Sequence, residues 1–193
     1  MMSEDKDFTL EVGVGMTSFA EYLRPDLVTE DVVRLDKDST SFPGVSIKKG
    51  TDLVANAQRL PLAAESVGSI FCKDFFGSHY PPNDKYKLSL NFSSGNIGDL
   101  SEIAKEWFRV CRRDGKVIIL ETNTPYGYRG FSEDIDLKNV FESSGFSLKE
   151  EYHGRGREGV NKIFSQEGVV DLKRSGVFSV FQEESYVLVF EKP

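Results

Sequence analysis

The chain has 193 residues, of which 39% are hydrophobic and 28% charged, and 24 Lys and Arg stand against 31 Asp and Glu for a net charge of −7. A chain of this size buries about 70% of its extended surface and needs no disulfide or metal staple, so 1–193 reads as one soluble domain. The acidic balance argues against a broad grip on nucleic acid or an anionic membrane, and no run of about 20 apolar residues is present to span a bilayer.

The N-terminal stretch Met1–Asp7 is acidic and lacks the apolar segment of a signal peptide. Cys72 and Cys111 lie in apolar stretches and read as buried, reduced thiols of a cytoplasmic protein. No close Cys/His pair accompanies them, so no metal site is expected.

The elements alternate along the chain. Phe8–Val12 reads as a strand ending at Gly13, and Thr17–Leu23 as a helix with Phe19, Tyr22 and Leu23 on its apolar stripe, stopped by Pro25. Val32–Asp36 is the second strand and Asp52–Asn56 the third. Lys37–Thr51, with Pro43, Gly44 and Gly50, reads as a loop or at most a short helix. Val67–Cys72 is the fourth strand. Asp99 and Glu102 form a capping box for a helix carrying Leu100, Ala104, Trp107, Phe108 and Cys111, which Arg112, Arg113 and Gly115 are expected to close. Lys116–Glu121 is a near-continuous apolar run, as a central buried strand requires. Leu137, Val140 and Phe141 mark a helix that ends near Gly145. Phe146–Tyr152 and Ser185–Glu191 are the last two strands. Strand, helix, strand, repeated, implies a parallel sheet with helices on both faces, whose ligand sits outside the carboxyl ends of the strands.

The residues at those ends are chemically distinctive. Gly13 and Gly15 allow a sharp turn and a close backbone approach to a ligand. Asp36 ends the second strand, where a carboxylate can accept hydrogen bonds from both hydroxyls of a ribose. After the third strand, the Asn56 amide oxygen suits an exocyclic adenine amine, the amide of Ala57 or Gln58 suits a ring nitrogen, and Leu60 and Leu62 suit either the ring or the core. A pyrophosphate fingerprint wants glycine or alanine where Ser18 stands. Glu11 beside the turn would repel a pyrophosphate but suits a ligand carrying an ammonium group.

Leu10-Glu11-Val12-Gly13-Val14-Gly15, Val33-Arg34-Leu35-Asp36, Phe42-Pro43-Gly44, Thr51 through Leu62, Ser66 through Ile70, and Ser101 through Leu120 resemble, in order, the motifs of class I S-adenosylmethionine-dependent methyltransferases. The resemblance covers roughly residues 8 to 124. It implies a Rossmann-like, doubly wound, mostly parallel sheet of seven strands, the last inserted antiparallel between the fifth and sixth. It also implies S-adenosylmethionine as cofactor, held by Glu11, Gly13, Gly15, Asp36, Asn56, Ala57 and Leu60, and in-line methyl transfer driven mainly by proximity and orientation. The chain departs from the pattern at Thr17, where the family has a third glycine, at Asn56, where an aspartate is common, and at Gly68-Ser69, where an acidic residue often falls. A lid helix before the first strand, and a full helix between strands two and three, are not expected.

On the acceptor side, Lys73–Asp84 follows the fourth strand. Its Pro81-Pro82 is not the motif of amino-methylating DNA enzymes. His79 is a candidate general base toward a hydroxyl, with a surface loop histidine as the alternative, and Phe76 and Tyr80 are candidate pocket walls or loop anchors. Glu121, after the fifth strand, is a second candidate catalytic or orienting carboxylate. Residues 125–193 form the C-terminal part, with a long insertion at 153–184 expected to cap the cleft or to form a homodimer contact. The reading that follows is methyl transfer to a small-molecule acceptor, with no nucleic-acid or membrane partner. The alternative is a non-catalytic binding protein on the same fold with a degenerate cofactor pocket.

Overall fold

The computed structural model describes residues 7–13, 18–29, 31–36, 52–73, 75–76, 97–123, 137–155, 161–174 and 184–193. Their strands are β1 (Phe8–Val12), β2 (Asp31–Asp36), β3 (Leu53–Val54), β4 (Val67–Lys73), β5 (Cys111–Asn123), β6 (Ser147–Arg155) and β7 (Glu184–Glu191). Their helices are α1 (Ile97–Val110), α2 (Leu137–Ser143) and α3 (Gln166–Arg174), with helical residues also at 161–163 and a 3-10 turn at Ala20–Tyr22.

The seven strands form one sheet in the order β3-β2-β1-β4-β5-β7-β6. β1 pairs in parallel with β2 and β4, β4 with β5, and β2 with β3. β7 lies antiparallel between β5 and β6. This is the doubly wound, mostly parallel sheet with an antiparallel last strand that the motif order implied.

Alternation within each strand divides the core. Leu10, Val12, Ile70, Cys72, Val117, Ile119, Leu188 and Phe190 face α1 and α2, which bury Leu100, Ile103, Trp107, Leu137 and Phe141 on them. Phe71, Ile118, Leu120, Val187 and Val189 point the other way, onto Phe19, Leu23, Leu27, Ile163, Phe164, Val169 and Leu172. Burial on both faces explains the unbroken apolar run of β5.

Several elements differ from their sequence-based reading. In place of a helix over Thr17–Leu23, the described residues hold only the 3-10 turn, which Pro25 follows; Thr17 itself lies outside them. β3 shrinks to Leu53–Val54, because Asn56 leaves the strand for a tight turn that closes on Arg59. α1 starts at Ile97, which makes Asp99 its third residue rather than its N-cap. Cys111, Arg112 and Arg113 belong to β5, not to the helix end. The left-handed residue there is Asp114, with φ 60°, not Gly115. Gly115 is required for another reason: a Cβ would sit 2.7 Å from Cys111 Sγ and 2.9 Å from the carbonyls of Arg112 and Gly68.

The long insertion expected at 153–184 begins as the end of β6 and carries, among the described residues, helical residues 161–163 and α3. α3 packs beside the 3-10 turn on the second face of the sheet. The Ser165 amide donates to Tyr22 O at 2.9 Å, the Arg24 amide to Ile163 O at 2.8 Å, and Gly168 lies so close that a Cβ would sit 2.4 Å from Tyr22 O. The described part of the insertion therefore supplies core on a face that the short segment after β1 leaves uncovered.

Candidate functional site

The strand order reverses between β1 and β4, which opens a crevice outside the carboxyl ends of these strands. Gly13 follows β1 with φ 70°, a left-handed conformation that glycine adopts without a Cβ penalty. Its amide donates to Leu35 O at 2.9 Å, which holds the turn against the end of β2. The next residue of β2 is Asp36, half-buried, whose carbonyl accepts from the Ala55 amide at 3.1 Å. The ends of β1, β2 and β3 are thus tied in a row, with Gly13, Asp36 and Asn56 along one edge. Gly15 lies outside the described residues.

Asn56 is exposed, and its Oδ1 accepts from the Gln58 amide at 2.9 Å while its Nδ2 donates to Gln58 Oε1 at 3.2 Å. The side chain shapes the turn as an aspartate does in an Asx turn. Ala57 and Leu60 are buried in the core beneath that turn. A left-handed turn, a carboxylate and a loop with an apolar underside, side by side on three adjacent strands, suit a nucleoside with its ribose at Asp36 and its base along 56–60.

Glu11 points to the opposite face from Leu10 and Val12 and is 2% exposed. Its Oε1 accepts from the amides of Phe19 at 2.6 Å and Ala20 at 3.3 Å, and its Oε2 from Ser18 Oγ at 2.5 Å. Desolvation pushes its carboxyl above the ordinary value of 4.5, against the pull of these hydrogen bonds and of nearby Arg34. Glu11 thereby fastens the chain that leaves the glycine turn back onto β1.

Two further anchors escaped sequence reasoning. From α1, Glu106 Oε1 accepts from the Leu60 amide at 2.7 Å, and Arg109 Nη2 donates to Leu60 O at 3.2 Å and Leu62 O at 2.9 Å. The pair closes on itself at 2.7 Å, and the Arg109 hydrogen bond holds the Glu106 carboxyl below its ordinary 4.5. The one available signal was an acid–base pair at i,i+3 on a helix, which by itself means a solvated face. From β2, Arg34 joins Glu21 at 2.5 Å and Asp52 at 3.1 Å, bracing the 3-10 turn and the start of β3.

At the end of β5, Glu121 is 1% exposed and its Oε1 accepts from the amides of Phe75 at 3.1 Å and Phe76 at 3.0 Å. Phe76 is a core residue, packed 5.8 Å from Trp107 and 6.0 Å from Phe141, rather than a pocket wall. Phe75 lies against the glycine turn: a Cβ on Gly13 would sit 2.7 Å from its Cδ2. His79 and Tyr80 lie outside the described residues.

Residues 10–119 match the family described as "Methyltransferase domain". No curated protein matches the sequence significantly. Among solved structures, the chain is similar to a SAM-dependent methyltransferase from Archaeoglobus fulgidus, at 14% identity over 96% of this chain and 86% of that one, with a TM-score of 0.56. It is also similar to a TehB-like SAM-dependent methyltransferase from Corynebacterium glutamicum, at 16% identity over 100% of this chain and 83% of that one, with a TM-score of 0.55. A third similar structure is the [4+2]-cyclase SpnF, at 12% identity over 98% of this chain and 77% of that one, with a TM-score of 0.54.

Proposed function

The chain belongs to the class I S-adenosylmethionine-dependent methyltransferase family, and from that premise we propose that it transfers a methyl group to a small-molecule acceptor. The carrying observation is the row of Gly13, Asp36 and the 56–60 turn at the reversal of strand order. The residues fit the cofactor. A left-handed glycine lets backbone approach, a half-buried carboxylate suits the ribose hydroxyls, and the turn over Ala57 and Leu60 suits the adenine. Gly13 and Gly15 would hold the amino-acid end, Asp36 the ribose, and the turn of Asn56, Ala57 and Leu60 the base, with Glu11 fixing the segment beside the glycines from within the core.

S-adenosylmethionine, when bound, supplies an electrophilic methyl group on a sulfonium. The protein's part is to orient the two reactants and keep the site's dipoles fixed. Glu11, Arg34 and the Glu106–Arg109 pair do so by fastening the segments on either side of the row. His79 is the proposed general base toward a hydroxyl acceptor. The net charge of −7 supports a small acceptor over nucleic acid. Among the described residues no helix is long and apolar enough to cross a membrane. The free thiols of Cys72 and Cys111 support a cytoplasmic setting.

Calorimetric titration with S-adenosylhomocysteine tests the reading. Saturable 1:1 binding is expected, and no heat from a well-folded sample would sink it. The second reading, a binding protein on this fold, draws on Glu11 and Asn56, whose side-chain oxygens are turned onto the protein's own amides. S-adenosylhomocysteine carried through purification and detected by mass spectrometry counts against that reading.

A further inference from the structure

We infer that Glu121 is a positioning residue that sets one wall of the methyl-donor site through Phe75; this rests on the proposed function. The carboxylate is buried at the end of β5, and one of its oxygens takes the amides of both Phe75 and Phe76. Two consecutive amides on one oxygen fix the backbone just past β4. That backbone carries the Phe75 ring onto Gly13, where the glycine hydrogen is all the space admits. The ring is held from behind by Phe76 at 4.9 Å and by Trp107 at 6.0 Å. A chain of direct contacts therefore runs from the end of β5, through the ring, to the turn where the cofactor's amino-acid end is proposed to lie.

The two amides give Oε1 a backbone-holding task, and neither of these two contacts requires a charge. An uncharged acceptor of the same shape should serve. A fixed ring against the glycine turn would exclude water from that side and limit how the amino-acid end can sit. Glu11 does the parallel task on the other face of the sheet, where its Oε1 takes the consecutive amides of Phe19 and Ala20.

Trp107 is the sequence's single tryptophan and is fully buried beside both phenylalanines, so its emission reports on this cluster. The experiment is S-adenosylhomocysteine titration, read by calorimetry and by Trp107 emission, on the wild type, Glu121→Gln, Glu121→Met, Phe75→Leu and the Glu121→Met/Phe75→Leu double variant. If the wild type binds nothing, the proposed function fails and the inference falls with it. Given wild-type binding, Glu121→Gln should stay within about twofold. Glu121→Met and Phe75→Leu should each weaken binding about tenfold, and the double variant should be no weaker than either single one, because both act through the same ring. Additive losses in the double variant would overturn the inference, since a general loosening of the fold adds to the loss of the ring. Glu121→Gln as weak as Glu121→Met would also overturn it, by making the charge itself necessary. Should Glu121→Met fail to fold, Glu121→Asp, which withdraws the acceptor by one methylene, takes its place. Binding weakened by Glu121→Asp and not weakened further by adding Phe75→Leu upholds the inference, and wild-type-like binding in Glu121→Asp or additive losses overturn it.

Discussion

The two ends of the sheet use buried charge in opposite senses. At the carboxyl ends of the parallel strands, Glu11 and Glu121 are acceptors, and each binds two backbone amides of a neighbouring segment. At the opposite end, Lys192 is the donor. It is 7% exposed, and its Nζ donates to Phe108 O and Cys111 O at 2.9 Å and to Glu65 Oε1 at 3.1 Å, with the Phe108 ring 4.6 Å away. The helix dipole and its unmet carbonyls explain the sign. The last turn of α1 offers oxygens and wants a cation, which Lys192 supplies from beyond β7. The Glu65 amide satisfies Arg109 O there as well, at 3.0 Å. Segments that pass over the strand ends offer amides and want an anion. The lysine seals a turn and serves stability. The glutamates hold segments that border the proposed site, so their loss should reach ligand binding too.

The largest effect should come from overfilling the site edge. Gly13→Val places a β-branched residue at φ 70° and drives a Cβ into Phe75. A cost of about 3 kcal/mol in unfolding free energy is expected, along with loss of measurable S-adenosylhomocysteine binding. Chemical denaturation and calorimetry together check it; unchanged binding would remove Gly13 from the site. Lys192→Met should cost about 2–3 kcal/mol by leaving buried carbonyls unmet, lowering Tm by roughly 5–10 °C, with affinity for the ligand unchanged. A parallel drop in affinity would erase the distinction between the two ends.

Asp36→Ala sharpens the comparison from the other side. Affinity for S-adenosylhomocysteine should fall by about 1–3 kcal/mol, with a smaller loss of unfolding free energy than Lys192→Met causes. The smallest effect is expected at the Glu106–Arg109 clamp. Glu106 sits below its ordinary 4.5, so the folded state holds its proton less tightly than the unfolded chain. Its contribution is therefore complete above pH 4.5 and is lost as pH falls through the lowered folded value. Amide exchange at Leu60, corrected for intrinsic rates, should speed up on acidification through that window. Glu106→Gln should flatten the dependence at a cost of about 1 kcal/mol.

Strand positions were legible because burial leaves a pattern. β5 is apolar on both faces and β1 alternates, and Gly13, Asp36 and Asn56 fell at strand ends where chain order put them. Boundaries set by non-local contact were not legible. The chain after Gly13 has a helical stripe, yet Glu11 captures the amides of Phe19 and Ala20 and Pro25 follows, so the described residues there form a 3-10 turn. Arg112 and Arg113 looked like a helix end because positive charge favours one, but the cation that reaches those carbonyls is Lys192, from the far end of the chain. Phe75 and Phe76 read alike in sequence. Only the fold puts both rings in the core beside Trp107, pressing Phe75 onto the glycine turn and Phe76 onto Phe141.

The sequence by itself determined the family, the parallel sheet and the strand ends that carry Glu11, Gly13, Asp36 and Asn56, because periodicity and motif order are properties of the chain. The tertiary structure alone decided which charges hold which backbone. Glu121 meets Phe75 across 46 residues, and Lys192 meets Cys111 across 81. Contacts at such separations depend on strand order and register, and a hydrogen bond formed or missed over a few tenths of an ångström leaves no periodic trace in the sequence.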